Sequence, residues 1–485
     1  MNYGQFLQMV PEATLTAILL IVFFADMFCP KNGSERVKII GTLSAILLLA
    51  ATFVSALAVP TTAFGGMYVT TPMVNVMKTI LSGGTLIVVI MSGTWLRKEA
   101  SKRVGEFYML VISTLLGMYV MISSGHFLIF FLGLEMASVP MACLVAFDKL
   151  KRQSAEAAAK YILTATFSTG VMLYGISFIY ASCNTLYFED IASRLSFVVY
   201  NKTLLVMGIV FFFSGLAFKI SLVPFHFWTA DTYQGAPTPV TGYLSVVSKG
   251  AATLTLFIIL QKTFIVISEY WYLLLSVVII LSITVGNLMA MRQKELKRFM
   301  AFSSISQAGY IMLAALGADM QMGATALTFY VLVYVVANLS VFTVISAVEH
   351  AQASQSNRLT QMDTYDGFYQ TNPRLSLLMT VALFSLAGIP PFAGMFSKFF
   401  VFLAAAQQGT FLAYLVVFVA LVNTVVSLYY YLLIVKAMYI KKTVAPMPTF
   451  VSDTNTRLAL AICTAGIVVF GVVSCVYGWI QAAAV

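Results

Sequence analysis

Five lysines stand inside long apolar stretches of the chain: Lys78, Lys160, Lys219, Lys249 and Lys398. One glutamate is placed the same way, in Phe131-Leu132-Gly133-Leu134-Glu135-Met136-Ala137-Ser138-Val139-Pro140. Ionisable groups at membrane depth are costly and mark ion or proton pathways when they cannot reach water. Isolated amines and carboxylates there can exchange protons, because burial disfavours the charged form of an amine while a nearby carboxylate favours it. Other chemistry has little support. Cys29, Cys143, Cys183, Cys463 and Cys475 are scattered without a C-x-x-C pair, so they read as small packing residues. His126, His226 and His350 lie far apart, no metal site is expected, and no G-x-G-x-x-G fingerprint is present.

Depth separates the candidates. Lys249 lies nine residues into a stretch at 240–262, about 14 Å deep at the rise of a helix, close to the bilayer midplane. Its neighbours Thr241, Ser245 and Ser248 are expected to hold water beside it. Glu135 is equally deep in a stretch at 126–147 with no neutralising residue on its own helix, so its expected partner is Lys219, midway along 203–234. Lys160 is shallow and four residues from Glu156, which suits snorkelling in a helical ion pair as well as a proton path. Lys78 is similarly shallow and reads mainly as a boundary residue. Glu106 and Asp26 sit at cytoplasmic boundaries, Glu106 being a candidate inlet residue. His226 is a candidate relay with an ordinary pKa near ~6.5, and equally a polar residue that satisfies loose backbone.

These residues must be positioned by membrane helices. The chain has 485 residues, 60 % hydrophobic and 9 % charged, with a mean hydropathy of +0.92; soluble chains are nearer ~25 % charged. A span needs about 20 apolar residues. On that measure fourteen spans fall near 11–29, 37–57, 73–95, 104–122, 126–147, 157–180, 203–234, 240–262, 270–291, 296–317, 323–347, 376–406, 411–440 and 457–481. The first lysine, Lys31, follows the first span, so a cleaved leader is not expected.

The formal charge of +10 is unevenly placed. Alternate loops carry 20 Lys and Arg, from Lys31, Arg36 and Lys38 through to Lys441, Lys442 and Arg457, whereas the opposite loops carry Arg194, Lys202 and Lys262. The rich side is expected to be cytoplasmic, with both termini outside. Trp95, Trp228, Trp271 and Trp479 fall mostly at span ends, as an interfacial belt would place them. No basic run with interleaved aromatics suggests nucleic acid.

Two spans are overlong and interrupted. The 203–234 stretch breaks at Lys219-Ile220-Ser221-Leu222-Val223-Pro224-Phe225-His226, and the 376–406 stretch at Gly388-Ile389-Pro390-Pro391-Phe392-Ala393-Gly394-Met395-Phe396-Ser397 before Lys398. Proline ends a helical ladder, and paired broken helices in two halves suit a transporter of inverted repeats. The expected architecture is an all-α polytopic membrane protein. It comprises three N-terminal helices (1–95), a first five-helix repeat (104–262), an inverted second (270–440) and a last helix (457–481).

The run Phe218-Lys219-Ile220-Ser221-Leu222-Val223-Pro224-Phe225-His226-Phe227-Trp228-Thr229-Ala230-Asp231-Thr232-Tyr233 resembles the signature of the antiporter-like membrane subunits of respiratory complex I, the proton-translocating NADH:quinone oxidoreductase. Gln234-Gly235-Ala236-Pro237 and Val247-Ser248-Lys249-Gly250-Ala251-Ala252 resemble one subunit type within it. The resemblance covers essentially the whole chain. It implies a translocase subunit in a bacterial cytoplasmic membrane. Glu135 and Lys219 would form a modulating pair, Lys249 a central relay and Lys398 a terminal residue; Lys78 has no counterpart. It implies no cofactor in this chain, with NADH, FMN, iron–sulfur clusters and quinone in partner subunits, and M-, K- and J-type membrane neighbours. An Mrp-type cation/proton antiporter subunit and a structural scaffold with static lysines are the alternatives.

Overall fold

The computed structural model describes residues 3–29, 33–197, 201–352, 360–441, 447–473 and 475–484. Lys31, Arg358 and Lys442, counted above among the cytoplasmic cations, lie outside them. In hydrocarbon each backbone N–H and C=O must be satisfied within the protein, which leaves helices as the spanning element for a chain with this apolar periodicity. The chain accordingly forms α1 (Val10–Phe28), α2 (Gly33–Leu57), α3 (Pro72–Glu99), α4 (Val104–Ile122), α5 (Phe127–Val145) and α6 (Arg152–Cys183). A short α7 (Phe188–Phe197) precedes the interrupted pair α8 (Lys202–Ile220) and α9 (Phe227–Gly235). Then come α10 (Thr238–Thr263), α11 (Ile265–Ala290), α12 (Leu296–Leu316) and α13 (Met320–Gln352). The second interrupted pair is α14 (Pro373–Ala387) and α15 (Ala393–Ala406), followed by α16 (Phe411–Tyr439), α17 (Thr454–Val472) and α18 (Cys475–Ala483).

Thirteen helices among the described residues are long and apolar enough to span. The halves α14 and α15, of 15 and 14 residues, supply the fourteenth crossing together. Helix starts follow local chemistry. The Thr71 hydroxyl accepts the Val74 N–H ahead of Pro72, Asn201 accepts from Leu204, and Thr410 accepts from Ala413.

Packing places α10, α12 and α13 on the axis. Their apolar windows are 94–100 % buried, against 28 % for α1, α2, α16 and α17, which face outward. Close helix contact needs small residues, since apolar burial drives no association in lipid. Gly117 and Gly133 provide it between α4 and α5: a Cβ on either would fall 2.4 Å from a backbone nitrogen of the other helix.

Several expectations change. Trp95, Trp228 and Trp271 are buried and Trp479 alone of the four is exposed, so three are packing residues: Trp228 and Trp271 donate to the carbonyls of Phe218 and Phe264. Lys297, counted as a loop cation, is buried in the first turn of α12, where its Nζ donates to the Ala236 carbonyl at 2.7 Å. A hairpin, β1 (Thr62–Ala63) with β2 (Tyr68–Val69), and α7 are too short for a 20-residue ruler to find.

Candidate functional site

The two interruptions are built alike. Helix α8 ends at Ile220, and Ser221 takes a left-handed conformation (φ +69°) before the chain resumes at Phe227. Helix α14 ends at Ala387, and Gly388 (φ +90°) makes the same turn before Ala393. Backbone freed at such depth needs partners. At the first break Trp228 Nε1 donates to the Phe218 carbonyl at 3.0 Å, and the Ser282 hydroxyl accepts the Val223 N–H at 2.9 Å. At the second, Lys398 Nζ donates to the Ala387 carbonyl at 2.8 Å and Gln307 Nε2 to the Leu386 carbonyl at 3.2 Å. A cation thus sits at each C-terminal half-helix end, where the helix dipole favours it.

The three deep lysines are buried, and their polar partners are neutral. Lys219 Nζ donates to Ser138 Oγ at 2.8 Å and Tyr161 OH at 3.3 Å. The Lys249 ammonium donates to Ser304 Oγ at 2.8 Å and lies 5.4 Å from the centre of the Tyr233 ring. Of its local hydroxyls, Ser245 bonds the Gly242 carbonyl and Asn338, whereas Ser248 Oγ has no partner among the described residues. A π-helical turn at Leu244–Ser248 directly precedes Lys249, a feature that recurs at functional sites.

The expected Glu135–Lys219 ion pair is not formed. Glu135 Oε1 is buried without a hydrogen-bond partner among the described residues, while Lys219 is held by Ser138, one turn along α5 from Glu135. Residues at i and i+3 share a helix face, so the carboxylate and the hydroxyl are alternative partners for one ammonium.

Two groups of hydroxyls and amides lie near the lysines. Ser304 Oγ donates to Tyr233 OH at 3.3 Å; Tyr330 OH donates to Gln307 Oε1, and Gln307 Nε2 to Tyr431 OH at 3.3 Å. Gln307, Tyr330, Ser397 and Lys398 line a cavity of about 10 Å³, close to the least that holds one water. Sequence reading missed Ser138, Tyr161, Tyr233, Ser304 and Gln307. One signal for them was the polar run Ser303-Ser304-Ile305-Ser306-Gln307 within an apolar span.

The shallower candidates separate. Lys160 Nζ bridges Glu156 (2.9 Å) and Asp231 (2.7 Å), and all three line a 160 Å³ cavity at the Lys/Arg-rich end with Gln153 and Gln234. Arg298 Nη1 holds the other Asp231 oxygen at 2.7 Å. Glu106 is exposed in the first turn of α4, and His226 is buried at the first break with Nδ1 unpartnered. Beyond the spans, burial holds the Glu295 carboxyl above its usual range, while the Thr360 hydroxyl bonded to it pulls the other way. Lys78 is no boundary residue: its ammonium is fully buried against Glu12 at 2.6 Å, a partner the sequence reading did not weigh. Among the described residues no group of three or more His, Cys, Asp and Glu is placed to hold a metal.

Fourteen crossings, two of them interrupted beside a buried lysine, define an antiporter-like membrane protein. The chain belongs to the family described as NADH:quinone oxidoreductase/Mrp antiporter, TM, which matches residues 124–427. Within that family it is of the subunit N kind. It is 54 % identical over 478 residues to NADH-quinone oxidoreductase subunit N of Phocaeicola vulgatus, covering 98 % of each chain. To subunit N of Azobacteroides pseudotrichonymphae it is 47 % identical, covering 99 % of this chain and 98 % of the other. Among solved structures it resembles a chain of respiratory complex I from Thermus thermophilus (30 % identity, TM-score 0.78, 95 % and 96 % of the two chains). It shares its fold with a chain of the Mrp complex from Dietzia sp. (19 % identity, TM-score 0.83, 100 % and 97 %).

Proposed function

We propose that this proton-translocating membrane subunit of an NADH:quinone oxidoreductase carries protons along Lys219, Lys249 and Lys398, with Glu135 as the switch at one end. The observation that carries the reading is that three buried lysines at membrane depth each have neutral hydrogen-bond partners, with groups of hydroxyls and amides beside Lys249 and Lys398. An ammonium held by a serine or a carbonyl has no paired charge beside it that fixes its proton in place. A charge change arriving from a neighbouring subunit draws Lys219 from Ser138 to Glu135 or back. That displacement alters the field at Lys249 and passes a proton toward Lys398.

Each proton moved against the field costs about 2.3 kcal/mol per 100 mV, so transport is coupled to quinone reduction in partners that carry FMN and iron–sulfur clusters. The neighbours in this reading are M-, K- and J-type subunits. The Lys160–Glu156–Asp231 cavity serves as the cytoplasmic inlet, and His226 and Glu106 remain auxiliary. The five-crossing sets 104–262 and 270–440 are inverted repeats, since an odd number of crossings reverses orientation. In this reading both termini lie on the periplasmic side of the inner membrane, which the Lys/Arg asymmetry supports.

The test is Lys249→Met in the assembled complex in inverted membrane vesicles. Proton uptake driven by NADH is expected to fall by about 10²-fold, the scale on which a removed proton carrier slows transfer. Uptake at the wild-type rate in an assembled complex overturns the reading.

A further inference from the structure

The Glu12–Lys78 pair stands apart from the row of lysines, and the proposed path gives it no task. Glu12 lies in the first turn of α1 and Lys78 in the second turn of α3, both near the Lys/Arg-poor side. Lys78 Nζ donates to Glu12 Oε1 at 2.6 Å and to Tyr68 OH at 3.2 Å, and that hydroxyl donates to Glu12 Oε2 at 2.8 Å. Ser123 Oγ donates to Oε1 at 3.3 Å. The Tyr119 hydroxyl donates to the Lys78 carbonyl and also meets Ser55 Oγ. Side-chain exposure is 0 % for Lys78 and 5 % for Glu12.

Two observations argue against a mere fastening. A buried ion pair holds helices together no better than well-packed apolar residues do, and an ionisable group sealed from water within a spanning helix is a functional candidate. The hydroxyl partners of the pair also stand next in sequence to residues that line a cavity. Val69 N–H bonds the Ser123 carbonyl and Gly125 N–H the Met67 carbonyl, so the hairpin is pinned over the pair by the α4–α5 turn. The sequence neighbours of Tyr68 and Ser123, among them Gly66, Val69, Ser124 and Gly125, line a 660 Å³ cavity on that side. Inward, α3 leads to the central relay: Leu81 packs near Gly250 and Gly84 near Val247, on either side of Lys249.

Resting on the proton-translocating reading above, we infer that Glu12 and Lys78 form a further proton-exchange site, on the outlet side, that discharges into this cavity. The ammonium passes a proton to the carboxylate, directly or through Tyr68 OH, leaving a neutral amine and a carboxylic acid. The buried pair carries zero net charge before and after this internal transfer, and the carboxylate left by the discharge that follows is neutralised once the amine is reprotonated. The acid then releases its proton toward the cavity through the Ser123 hydroxyl. The carboxylate so restored draws the next proton onto the amine.

The test uses inverted vesicles carrying the whole complex with Glu12→Gln, Lys78→Met and the double variant Glu12→Gln/Lys78→Met. Electron flow from NADH is measured with an ionophore present and proton uptake without it. A static pair makes the single variants the damaging ones, because each leaves an unpartnered group, and the neutral double variant recovers wild-type uptake. The proton-exchange site predicts that the double variant assembles, keeps its ionophore-released electron flow, and takes up protons about tenfold more slowly or worse. Wild-type uptake in the double variant overturns the proposal. Should the double variant not assemble, Ser123→Ala removes the hydroxyl through which the acid discharges; it is expected to slow uptake, and unchanged uptake overturns the proposal equally. Lys249→Met run in parallel separates the two ideas, since normal pumping by that variant sinks the path itself whatever Glu12 and Lys78 do.

Discussion

A serine decides where the Lys219 ammonium rests. Ser138 Oγ accepts its proton at 2.8 Å while donating to the Leu134 carbonyl, so the hydroxyl is fixed as an acceptor toward the lysine. Glu135, one turn away, keeps a buried oxygen free. A hydrogen bond to a charged group is worth about 1.5–3 kcal/mol net, enough to balance the two positions of the ammonium against each other. Ser138→Ala removes one side of that balance and drives Lys219 onto Glu135. Proton uptake per NADH oxidised is expected to fall by about tenfold, the equivalent of ~1.4 kcal/mol, and Ser138→Thr, which restores the hydroxyl, to recover most of it. Wild-type uptake by Ser138→Ala would show that the resting place of Lys219 is immaterial.

The interrupted helices carry their lysines on backbone that has no slack. Gly388 has φ +90°, and a Cβ there would meet Lys398 Cδ at 3.1 Å and Nζ at 3.5 Å. Gly394 faces the other half so closely that its Cβ would overlap the Ser385 carbonyl. Gly388→Ala adds left-handed strain of about 1–2 kcal/mol and also crowds the amine. Gly409, at φ +69° with nothing within 4 Å, bears the strain alone. Both alanine variants are expected to lower the thermal midpoint of the purified complex, but Gly388→Ala alone to slow proton uptake; equal uptake in the two would free the break from any role in holding Lys398. The breaks were legible in the sequence because proline and glycine act locally: Pro224, Pro390, Gly388 and Gly394 mark them without reference to any other helix. Lys219, Lys249 and Lys398 were legible because charge in an apolar run is conspicuous. Their partners were not, since Ser138, Ser304 and Ala387 belong to other elements or lie across a break, and hydroxyl-bearing residues are common in apolar spans. Glu12 escaped for the opposite reason: at a span end it reads as a boundary residue until α3 closes over it.

At the scale of the whole molecule, charge and burial divide the work. The Lys/Arg asymmetry is the argument for the proposed orientation, and α10, α12 and α13, nearly wholly buried, carry Lys249, Ser304 and Tyr330 along the axis. The orientation fixes which end of the proposed path is the inlet. The Lys160–Asp231 cavity lies at the same end as Arg292 and Lys294, whereas the cavity beside Glu12 and Lys78 lies at the end with Lys262 and Glu189. Were the chain inserted the other way, both assignments would exchange, and the site proposed for discharge would become the one for uptake. Single cysteines decide it: Gln407→Cys, between α15 and α16, and Lys294→Cys, before α12, are both exposed. In intact cells a membrane-impermeant thiol reagent is expected to label Gln407→Cys and to spare Lys294→Cys until the membrane is opened. The reverse pattern would turn the proton path end for end while leaving each of its internal contacts intact.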